Sequence, residues 1–358
     1  MLENHPLLAI LGALLVLAIA YDSARTTLSA SASGPITRRL SAALWGTLLF
    51  VHRRSPRHRM LERAGTWITL ALIITWVLLA WLGWTLVFCA TPGAVQNSST
   101  MLAATFFDRV YFAGFTLTTL GVGDFAPQGA IWQILTVIAA GDGLLLFTMS
   151  ITYAIPIISA ATEKRQLALA INTLGESPLA ICRNTVGDGD FDVLRTQIEQ
   201  IETAIADAGQ KHLAYPILHY FHSADTMTAL PLALARLDQT LTIIDHAAPS
   251  LPAATRARIG ITQRTIERFM ATLESAFIRP SARTPHIPAL DEVAELPFLQ
   301  ADPEDLRTRL AGLARQPLMH AYVRDDGWRW EAVWHATNAD EAATGEDEPT
   351  DRPNAPDD

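Results

Sequence analysis

The chain has 358 residues, half of them hydrophobic, and a formal net charge of −9 at pH 7. Residues 338–358 alone have a net charge of −7, which leaves the remaining chain near −2. This balance lacks the excess of Lys and Arg that binds nucleic acid, so we expect no nucleic-acid partner. The length suffices for a membrane domain together with a soluble domain.

The first predicted element is a short hydrophobic helix near the N-terminus. Pro6 to Tyr21 form 16 residues without a charge, slightly fewer than the roughly 20 that normally cross a bilayer. A signal peptide is the competing interpretation, but residues 1–6 contain no Lys or Arg and therefore lack its basic start. We predict an N-terminal transmembrane helix over 1–21.

A basic connection follows at 22–65. Its eight arginines against Asp22 and Glu62 give a net charge of +6, which the positive-inside rule places on the cytoplasmic side. Apolar residues recur at helical spacing within 36–51, a stretch too short to span. We therefore predict an interfacial helix that lies on anionic lipid headgroups. A voltage sensor would need arginines at every third position inside a hydrophobic span, and these arginines lie in polar sequence.

The second hydrophobic span, Thr66 to Ala90, has 25 residues without a charge and is long enough to cross with some tilt. A polar loop follows. Leu102 to Leu117 is then too short to cross, and we interpret it as a re-entrant pore helix. The negative end of its dipole would favour a cation at the end of the helix.

The motif after this helix is the most informative part of the chain. Thr116-Leu117-Thr118-Thr119-Leu120-Gly121-Val122-Gly123-Asp124 is followed by Phe125-Ala126-Pro127. A dehydrated cation needs a series of oxygen ligands, which a Thr hydroxyl and successive backbone carbonyls can supply. Carbonyls can all face one axis only if alternate residues adopt left-handed backbone angles, which explains Gly121 and Gly123. A chance match in a Gly-rich turn is the alternative.

On these residues the segment 66–159 resembles the pore domain of the prokaryotic potassium channel family, with its outer helix, pore helix, filter and inner helix. The resemblance implies passive conduction of potassium ions through a homotetramer, with no enzymatic activity and no cofactor. It identifies Thr119, Leu120, Gly121, Val122 and Gly123 as the selectivity filter. It also places Asp124 at the outer mouth, where its charge would concentrate cations.

Three positions depart from the family pattern. Val122 replaces the aromatic residue usual between the two glycines, Tyr111 replaces a frequent tryptophan, and Phe115 replaces a carboxylate found in some members. The filter is therefore expected to be less firmly braced than in the family. A weakly selective cation channel is the alternative to a potassium channel.

The third span, Ala130 to Ser159, would be the inner helix. Gly143 lies where the family carries a hinge glycine, and Gly141 and Pro156 add further weak points; close helix packing is the alternative explanation for the glycines. Asp142 is an intramembrane carboxylate, which we expect to face the central cavity and attract cations or polyvalent blockers. Alternatively it is protonated or caps a neighbouring helix.

The charges give one consistent topology. The chain starts outside, the basic connection and everything after 159 lie inside, and 91–128 face outward, where a filter of this family opens. Cys89 and Cys182 then lie on opposite sides of the membrane, so an intrachain disulfide is not expected. The predicted location is the bacterial inner membrane.

The remaining sequence predicts a helical cytoplasmic domain over 160–337 and an acidic disordered tail over 338–358. Predicted helices cover 191–208, 229–246, 252–278 and 304–314, and Trp328, Trp330 and Trp334 are expected to close the core. No Gly-rich nucleotide-binding fingerprint is present. His219 and His222 could bind zinc or sense pH, and the acids of 188–199 could bind calcium, but helix-surface histidines and helix N-caps are the more ordinary explanations.

Together these features predict an all-α membrane protein with an extra N-terminal transmembrane helix, a pore domain and a helical cytoplasmic domain. Its expected partners are potassium ions, three further copies of itself, a bilayer with anionic headgroups and an unidentified regulator of the cytoplasmic domain. A rival from another class is a non-conducting, membrane-anchored adaptor.

Overall fold

A computed structural model describes residues 5–29, 33–187, 189–282 and 284–335. The acidic tail predicted at 338–358 lies outside them. Within the described ranges, three helical stretches are long and apolar enough to cross a membrane. They are Pro6–Leu28, His58–Cys89 and Ala130–Asn172. The prediction of an all-α membrane protein with three hydrophobic spans is confirmed.

The N-terminal helices are α1 (Pro6–Leu28), α2 (Pro35–Arg54) and α3 (His58–Glu62). Helix α1 continues past its predicted end at Tyr21, and helix α2 covers the predicted interfacial helix. The extension of α1 holds hydroxyl groups that donate to carbonyls of the preceding turn: Thr26 donates to Asp22 and Thr27 donates to Ser23. Polar residues can therefore continue a helix that began as an apolar span.

The carboxylate of Asp22 connects α1 to two other helices. It is fully buried and accepts hydrogen bonds from the Ile36 backbone N–H (2.7 Å), the Thr37 hydroxyl (2.6 Å) and the Trp76 indole N–H (3.0 Å). The first two donors belong to the first turn of α2, where unpaired N–H groups and the helix dipole favour a negative charge. Asp22, which the sequence suggested was an ordinary loop charge, is therefore a buried helix cap.

The next elements are α4 (Ala64–Cys89), β1 (Val95–Asn97), α5 (Phe106–Leu117), β2 (Phe125–Pro127) and α6 (Ala130–Asn172). The two short strands pair antiparallel and bring the segments before and after the filter together. The sequence predicted only a polar loop at 91–100, because three-residue strands carry too short a pattern to recognise. Helix α6 runs beyond the predicted end at 159 and includes Pro156 without breaking.

Helices α1 and α4 cross at a pair of glycines. An added Cβ at Gly12 would lie 2.5 Å from the Gly83 carbonyl oxygen, and one at Gly83 would lie 2.8 Å from Val16 Cγ2. Small residues of this kind allow two membrane helices to approach closely. The additional N-terminal helix is therefore closely packed against the outer helix of the pore segment.

The C-terminal part contains α7 (Pro178–Thr185), α8 (Asp192–Ala214), α9 (Leu230–Ala247), α10 (Ala253–Ala276), α11 (Pro303–Ala311) and α12 (Gln316–Asp325). Short 3₁₀ helices lie at Pro216–Tyr220, Thr226–Thr228, Asp291–Glu295 and Trp330–Val333. Helix α9 is buried over nearly its whole length and packs against α7, α10, α11 and α12. Trp328, Trp330 and Trp334 belong to this core, as predicted.

The described residues form two compact units. The first contains residues up to Gly46, Gly65–Ala161 and Lys211–Tyr220, and the second contains Thr47–Ala64, Thr162–Gln210 and the residues from Phe221 onward. These units do not follow the linear division expected from the sequence. The end of α2 with all of α3 belongs to the second unit, whereas 211–220 belong to the first.

Candidate functional site

Helix α5 is held by specific contacts at its start and near its middle. At its start, the Thr105 hydroxyl accepts the Asp108 N–H and the Asp108 carboxylate accepts the Thr105 N–H (2.8 Å). This capping box explains why α5 begins at Phe106 rather than at the predicted Leu102. Further along, the Trp81 indole of α4 donates to the Val110 carbonyl (2.8 Å). The outer helix and the cap together set the direction in which α5 points.

Aromatic rings pack behind the end of α5. Phe112 and Phe115 are buried, with ring centroids 5.2 Å apart, and Phe112 meets Phe88 of α4 at 5.0 Å. Tyr111 packs edge-on against Phe115 at 5.1 Å. Edge-to-face pairs of this kind add to the stability of an apolar cluster. Phe115 thus belongs to an apolar cluster at the end of α5, where some members of the resembling family carry a carboxylate.

The backbone of the predicted filter, residues 119–123, has an alternating conformation. Thr119 (φ 58°), Gly121 (φ 58°) and Gly123 (φ 87°) have positive φ, whereas Leu120 and Val122 between them do not. Left-handed angles were predicted at both glycines. At Thr119 such an angle costs about 1–2 kcal/mol because of its Cβ, and strain of this kind is concentrated at functional sites.

The amide groups and the carbonyl groups of the filter have different surroundings. The Thr119 N–H donates to the Thr116 carbonyl (3.0 Å) and the Leu120 N–H donates to the Phe115 carbonyl (2.8 Å). Among the described residues, the carbonyl oxygens of 119–122 accept no hydrogen bond. These residues are exposed on the single chain, as are the side chains of Leu120 and Val122. A row of unpaired carbonyl oxygens is suited to replacing the water shell of a cation.

The far end of the filter is held by a residue that sequence reasoning missed. The Ser98 hydroxyl donates to the Gly123 carbonyl (2.8 Å), and the Ser98 N–H donates to the Asp124 carbonyl (2.9 Å). The Gly123 carbonyl is therefore occupied, unlike the four before it. The Asp124 side chain is exposed and interacts with Tyr111. Ser98 lies in an uncharged polar loop, and its sequence gives no signal of this role.

Gly143 of α6 lies against the end of α5. An added Cβ would overlap the carbonyl oxygen of Leu117, the last residue of α5, whereas nothing lies within 4 Å of a Cβ added at Gly141. Close approach of α6 to the end of α5 is thus a sufficient reason for a glycine at 143. The hinge role of Gly143 stays a prediction.

Asp142 has a partner on the outer helix. Its Oδ2 accepts a hydrogen bond from the Trp84 indole N–H at 2.8 Å, and the side chain is half-buried. This contact directs one carboxylate oxygen toward α4, so Asp142 takes a neighbouring-helix partner. An effect of Asp142 on permeating cations stays a prediction. Trp84 was not recognised from the sequence because its uncharged span contains three other tryptophans and no pattern that distinguishes this one.

The two histidines considered for zinc or pH sensing do not share a helix. His219 lies in the 3₁₀ helix Pro216–Tyr220 and His222 in the irregular segment after it, and both are buried rather than on a helix surface. No group of three or more His, Cys, Asp or Glu residues that could hold a metal occurs in the described part of the chain. Asp188, the first residue of the calcium pattern, lies outside that part.

Comparisons with known proteins agree with this geometry. Residues 71–160 match a family model described as an ion channel. The chain is 32% identical to the membrane protein YdjJ of Bacillus subtilis over 288 residues, which cover 80% of this chain and 84% of that protein. It is 47% identical over 49 residues to the TWiK family of potassium channels protein 9 of Caenorhabditis elegans, covering 14% of this chain and 9% of that protein. No solved structure matches. The predicted ion-channel pore domain is confirmed.

Proposed function

This chain belongs to the family of the membrane protein YdjJ and carries an ion-channel domain, and from this premise we propose that it forms a homotetrameric channel that conducts potassium passively. The pore is lined by the carbonyl oxygens of Thr119, Leu120, Gly121 and Val122 together with the Thr119 hydroxyl. The channel lies in the bacterial inner membrane, with the helical domain in the cytoplasm.

The observation that carries the proposal is the state of the filter backbone. The N–H groups of Thr119 and Leu120 bond back to the end of α5, while the carbonyls of 119–122 are exposed and accept no hydrogen bond among the described residues. A buried carbonyl without a partner is costly. In a closed assembly these oxygens would need a ligand, and a dehydrated cation on a shared axis supplies it.

Assembly from four copies follows from what one chain lacks. Each chain has a single filter segment, which can line only one side of a pore. Leu120 is 70% exposed, Val122 is 50% exposed, and α6 exposes apolar side chains such as Val137 (71%) and Leu144 (60%). Neighbouring copies and lipid would cover these surfaces. The relative from Caenorhabditis elegans, described as a potassium channel, supports potassium as the ion.

A weakly selective cation channel is the second candidate, favoured by Val122. A branched aliphatic side chain stands where an aromatic ring would pack against the pore helix, and Phe115 contributes only apolar packing behind it. A filter that is less firmly held discriminates less well between potassium and sodium, because selectivity depends on how rigidly the carbonyls resist the smaller ion.

A liposome flux assay tests the proposal. Wild-type protein should pass potassium faster than sodium, and Gly121→Ala should abolish the flux because a Cβ is strained at φ 58°. Gly93→Ala is the matched control, since its glycine has no positive φ and nothing lies within 4 Å of an added Cβ.

Val122→Tyr should raise the ratio of potassium to sodium flux. Equal fluxes of the two ions in the wild type would refute potassium selectivity and leave the weakly selective channel. Absence of any flux from a correctly assembled tetramer would refute conduction itself and favour the adaptor.

A further inference from the structure

A cluster of buried titratable side chains in the second unit has no part in conduction. Each member is at most 6% exposed. We call it the histidine cluster, and its members are His52, His58, Lys164, His222, Asp326 and Trp328. Charged and titratable groups are rarely buried without a specific role or partner. Three imidazoles buried together with an ammonium group and a carboxylate are therefore an unusual arrangement.

Hydrogen bonds fix the proton positions in the neutral form of the cluster. Asp326 Oδ2 lies 2.9 Å from His222 Nδ1, and a carboxylate only accepts, so His222 Nδ1 carries a hydrogen. In a neutral imidazole, His222 Nε2 is then the acceptor for the N–H of His58 Nδ1, 3.0 Å away. This leaves His58 Nε2 as a bare acceptor, buried and without a hydrogen-bond partner among the described residues.

His52 is likewise arranged as a neutral ring. Its Nδ1 accepts the Arg57 N–H (3.0 Å), and its Nε2 donates to the Gly327 carbonyl (3.3 Å). Burial lowers the pKa of His52, and repulsion from Arg53 and from His222 whenever that ring is protonated acts in the same direction, against the two backbone hydrogen bonds. The His52 and His58 rings meet edge-on at 4.7 Å, so a charge on either ring would disfavour a charge on the other.

Asp326, the carboxylate of the cluster, already interacts with the Lys164 ammonium group. Lys164 Nζ lies 3.9 Å from Asp326 Oδ1 and donates to the Phe221 carbonyl at 2.8 Å. Arg53 adds positive charge beside His52, and Tyr322, which faces Asp326, is a neutral phenol. An additional proton on an imidazole would therefore place excess positive charge in a desolvated site.

Neither the nearby Glu62 nor Trp328 of the cluster compensates that charge. Glu62 is paired with Arg165 at 3.7 Å, and both side chains are more than one third exposed. Trp328 stacks on His58 at 4.1 Å and would attract an imidazolium through its ring face. That attraction acts on one ring only and does not remove the repulsion from Lys164 and Arg53.

The cluster draws on segments that continue into the pore helices. His58 lies in α3, which is followed directly by α4, and Lys164 lies on α6, which runs unbroken from the filter side. Gly327 packs against this region too, since an added Cβ would lie 2.8 Å from Leu61 Cδ1. If these segments separate, the start of α4 (the outer helix) and the C-terminal part of α6 (the inner helix) lose contacts that hold them in place.

We propose that the histidine cluster is a proton-sensitive latch, closed when its imidazoles are neutral and opened by protonation, which frees the ends of α4 and α6 and alters the open probability of the channel. Its effect on conduction rests on the proposed function. The opening of the cluster itself does not, because it can be measured without any ion flux.

The test combines hydrogen–deuterium exchange on the full-length protein with flux measurements in liposomes at equal pH on both sides. Conditions of about pH 7.5 and about pH 5.5 bracket the ordinary histidine pKa. In the wild type, exchange in 52–63, 221–228 and 323–330 is divided by the intrinsic rate of an unprotected amide at each pH, which itself falls with pH. This corrected exchange should accelerate by about tenfold or more at the acidic pH, because protons favour the open state. Flux should change over the same pH range.

Variants separate this latch from general acid damage. His58→Gln keeps a donor for His222 but does not titrate, so the acceleration should be greatly reduced. His246→Gln is the control, since His246 is exposed and bonded to Asp305 at 3.0 Å, and it should respond like the wild type. An unchanged response in His58→Gln would overturn the proposal.

Two charge variants keep the proposal falsifiable if His58→Gln fails to fold. In Lys164→Met, Asp326 is released to pair with an imidazolium in the closed state, so opening should move to lower pH. In Asp326→Asn that compensation is lost, and opening should move to higher pH. Shifts in the same direction would refute the electrostatic mechanism.

Flux without any pH response would refute the latch alone, and a pH-dependent opening without flux would refute the proposed function alone.

Discussion

The filter and the core around α9 handle polar groups in opposite ways. In the filter, the carbonyls of 119–122 have no partner among the described residues and are exposed. Around α9, even a fully buried arginine is paired: Arg236 donates to the Asn172 side chain (2.9 Å) and to the Ala332 carbonyl (2.8 Å). The core around α9 thus supplies acceptors for both terminal nitrogens of this guanidinium within one chain, whereas the described residues supply no donor to the carbonyls of 119–122.

The first prediction concerns a buried ion pair in the second unit. Asp238 is fully buried and accepts from Arg315 Nε at 2.7 Å. Arg315→Leu should destabilise the protein by about 3–5 kcal/mol, because removal of one partner leaves an uncompensated buried charge. The melting temperature in detergent measures this loss.

Arg307→Leu is the matched control for that variant. Arg307 also pairs with a carboxylate, Glu304 at 2.8 Å, but both side chains are exposed, so its removal should cost no more than about 1 kcal/mol. Equal losses of stability in Arg315→Leu and Arg307→Leu would show that burial does not make one ion pair stronger than the other. The contrast between the core and the filter would then weaken.

The second prediction uses two glycines of α6. Gly143→Ala should cost about 1–3 kcal/mol through the overlap with the Leu117 carbonyl and should reduce flux by displacing the end of α5. Gly141→Ala should retain flux, because nothing lies near its added Cβ. Both variants gain the same helix propensity, so the comparison isolates the contact. Normal flux in Gly143→Ala would exclude packing as the reason for this glycine.

The third prediction compares two carboxylates of the first unit. Asp22 accepts several hydrogen bonds at once, so the amide of Asp22→Asn would face N–H or O–H donors and should cost about 1–3 kcal/mol. Asp142 accepts a single bond from Trp84, which the Asn oxygen can still accept. Asp142→Asn should therefore leave the melting temperature nearly unchanged. Its single-channel conductance and rectification should change if the charge attracts cations, and unchanged values would remove that role.

The fourth and smallest effect is a pH dependence of stability from His52. Burial lowers the pKa of this histidine from 6.5 in the folded protein. Between pH 6.5 and the lower pKa of the folded state, His52 binds more protons in the unfolded chain than in the folded protein. The stabilisation from the neutral His52 is therefore fully present above pH 6.5 and is lost as the pH falls through this range. His52→Gln should flatten this dependence, measured as melting temperature against pH. His286→Gln, a change at an exposed histidine, should leave the dependence as it is. Equal slopes for the two variants would contradict the lowered pKa of His52.

Sequence patterns predicted the helices and the left-handed glycines of 119–123 because both depend on local information. Hydrophobic length marks α4 and α6, and the spacing of Gly121 and Gly123 marks the left-handed positions, both of which the structure contains. What the sequence could not supply is the set of partners that distant segments provide. Ser98 reaches Gly123 across 25 residues, and Trp76 reaches Asp22 across 54.

Element ends and the units were predicted less well for the same reason. Helix α5 starts at a capping box whose residues are present in the sequence, yet the preceding apolar residues suggested an earlier start. The histidine cluster joins His58 to His222 across 164 residues, and no local pattern connects them. Patterns in the chain therefore indicate the pore segment well and the contacts between distant segments hardly at all.

The most direct test of ion coordination by the filter is crystallography of the assembled protein soaked with rubidium or thallium, whose anomalous signal marks potassium sites. The expected result is a column of anomalous peaks on a four-fold axis, encircled by the carbonyl oxygens of Thr119, Leu120, Gly121 and Val122. An assembly without four-fold symmetry, or a four-fold assembly whose filter carbonyls surround no peaks, would contradict the proposed potassium pathway.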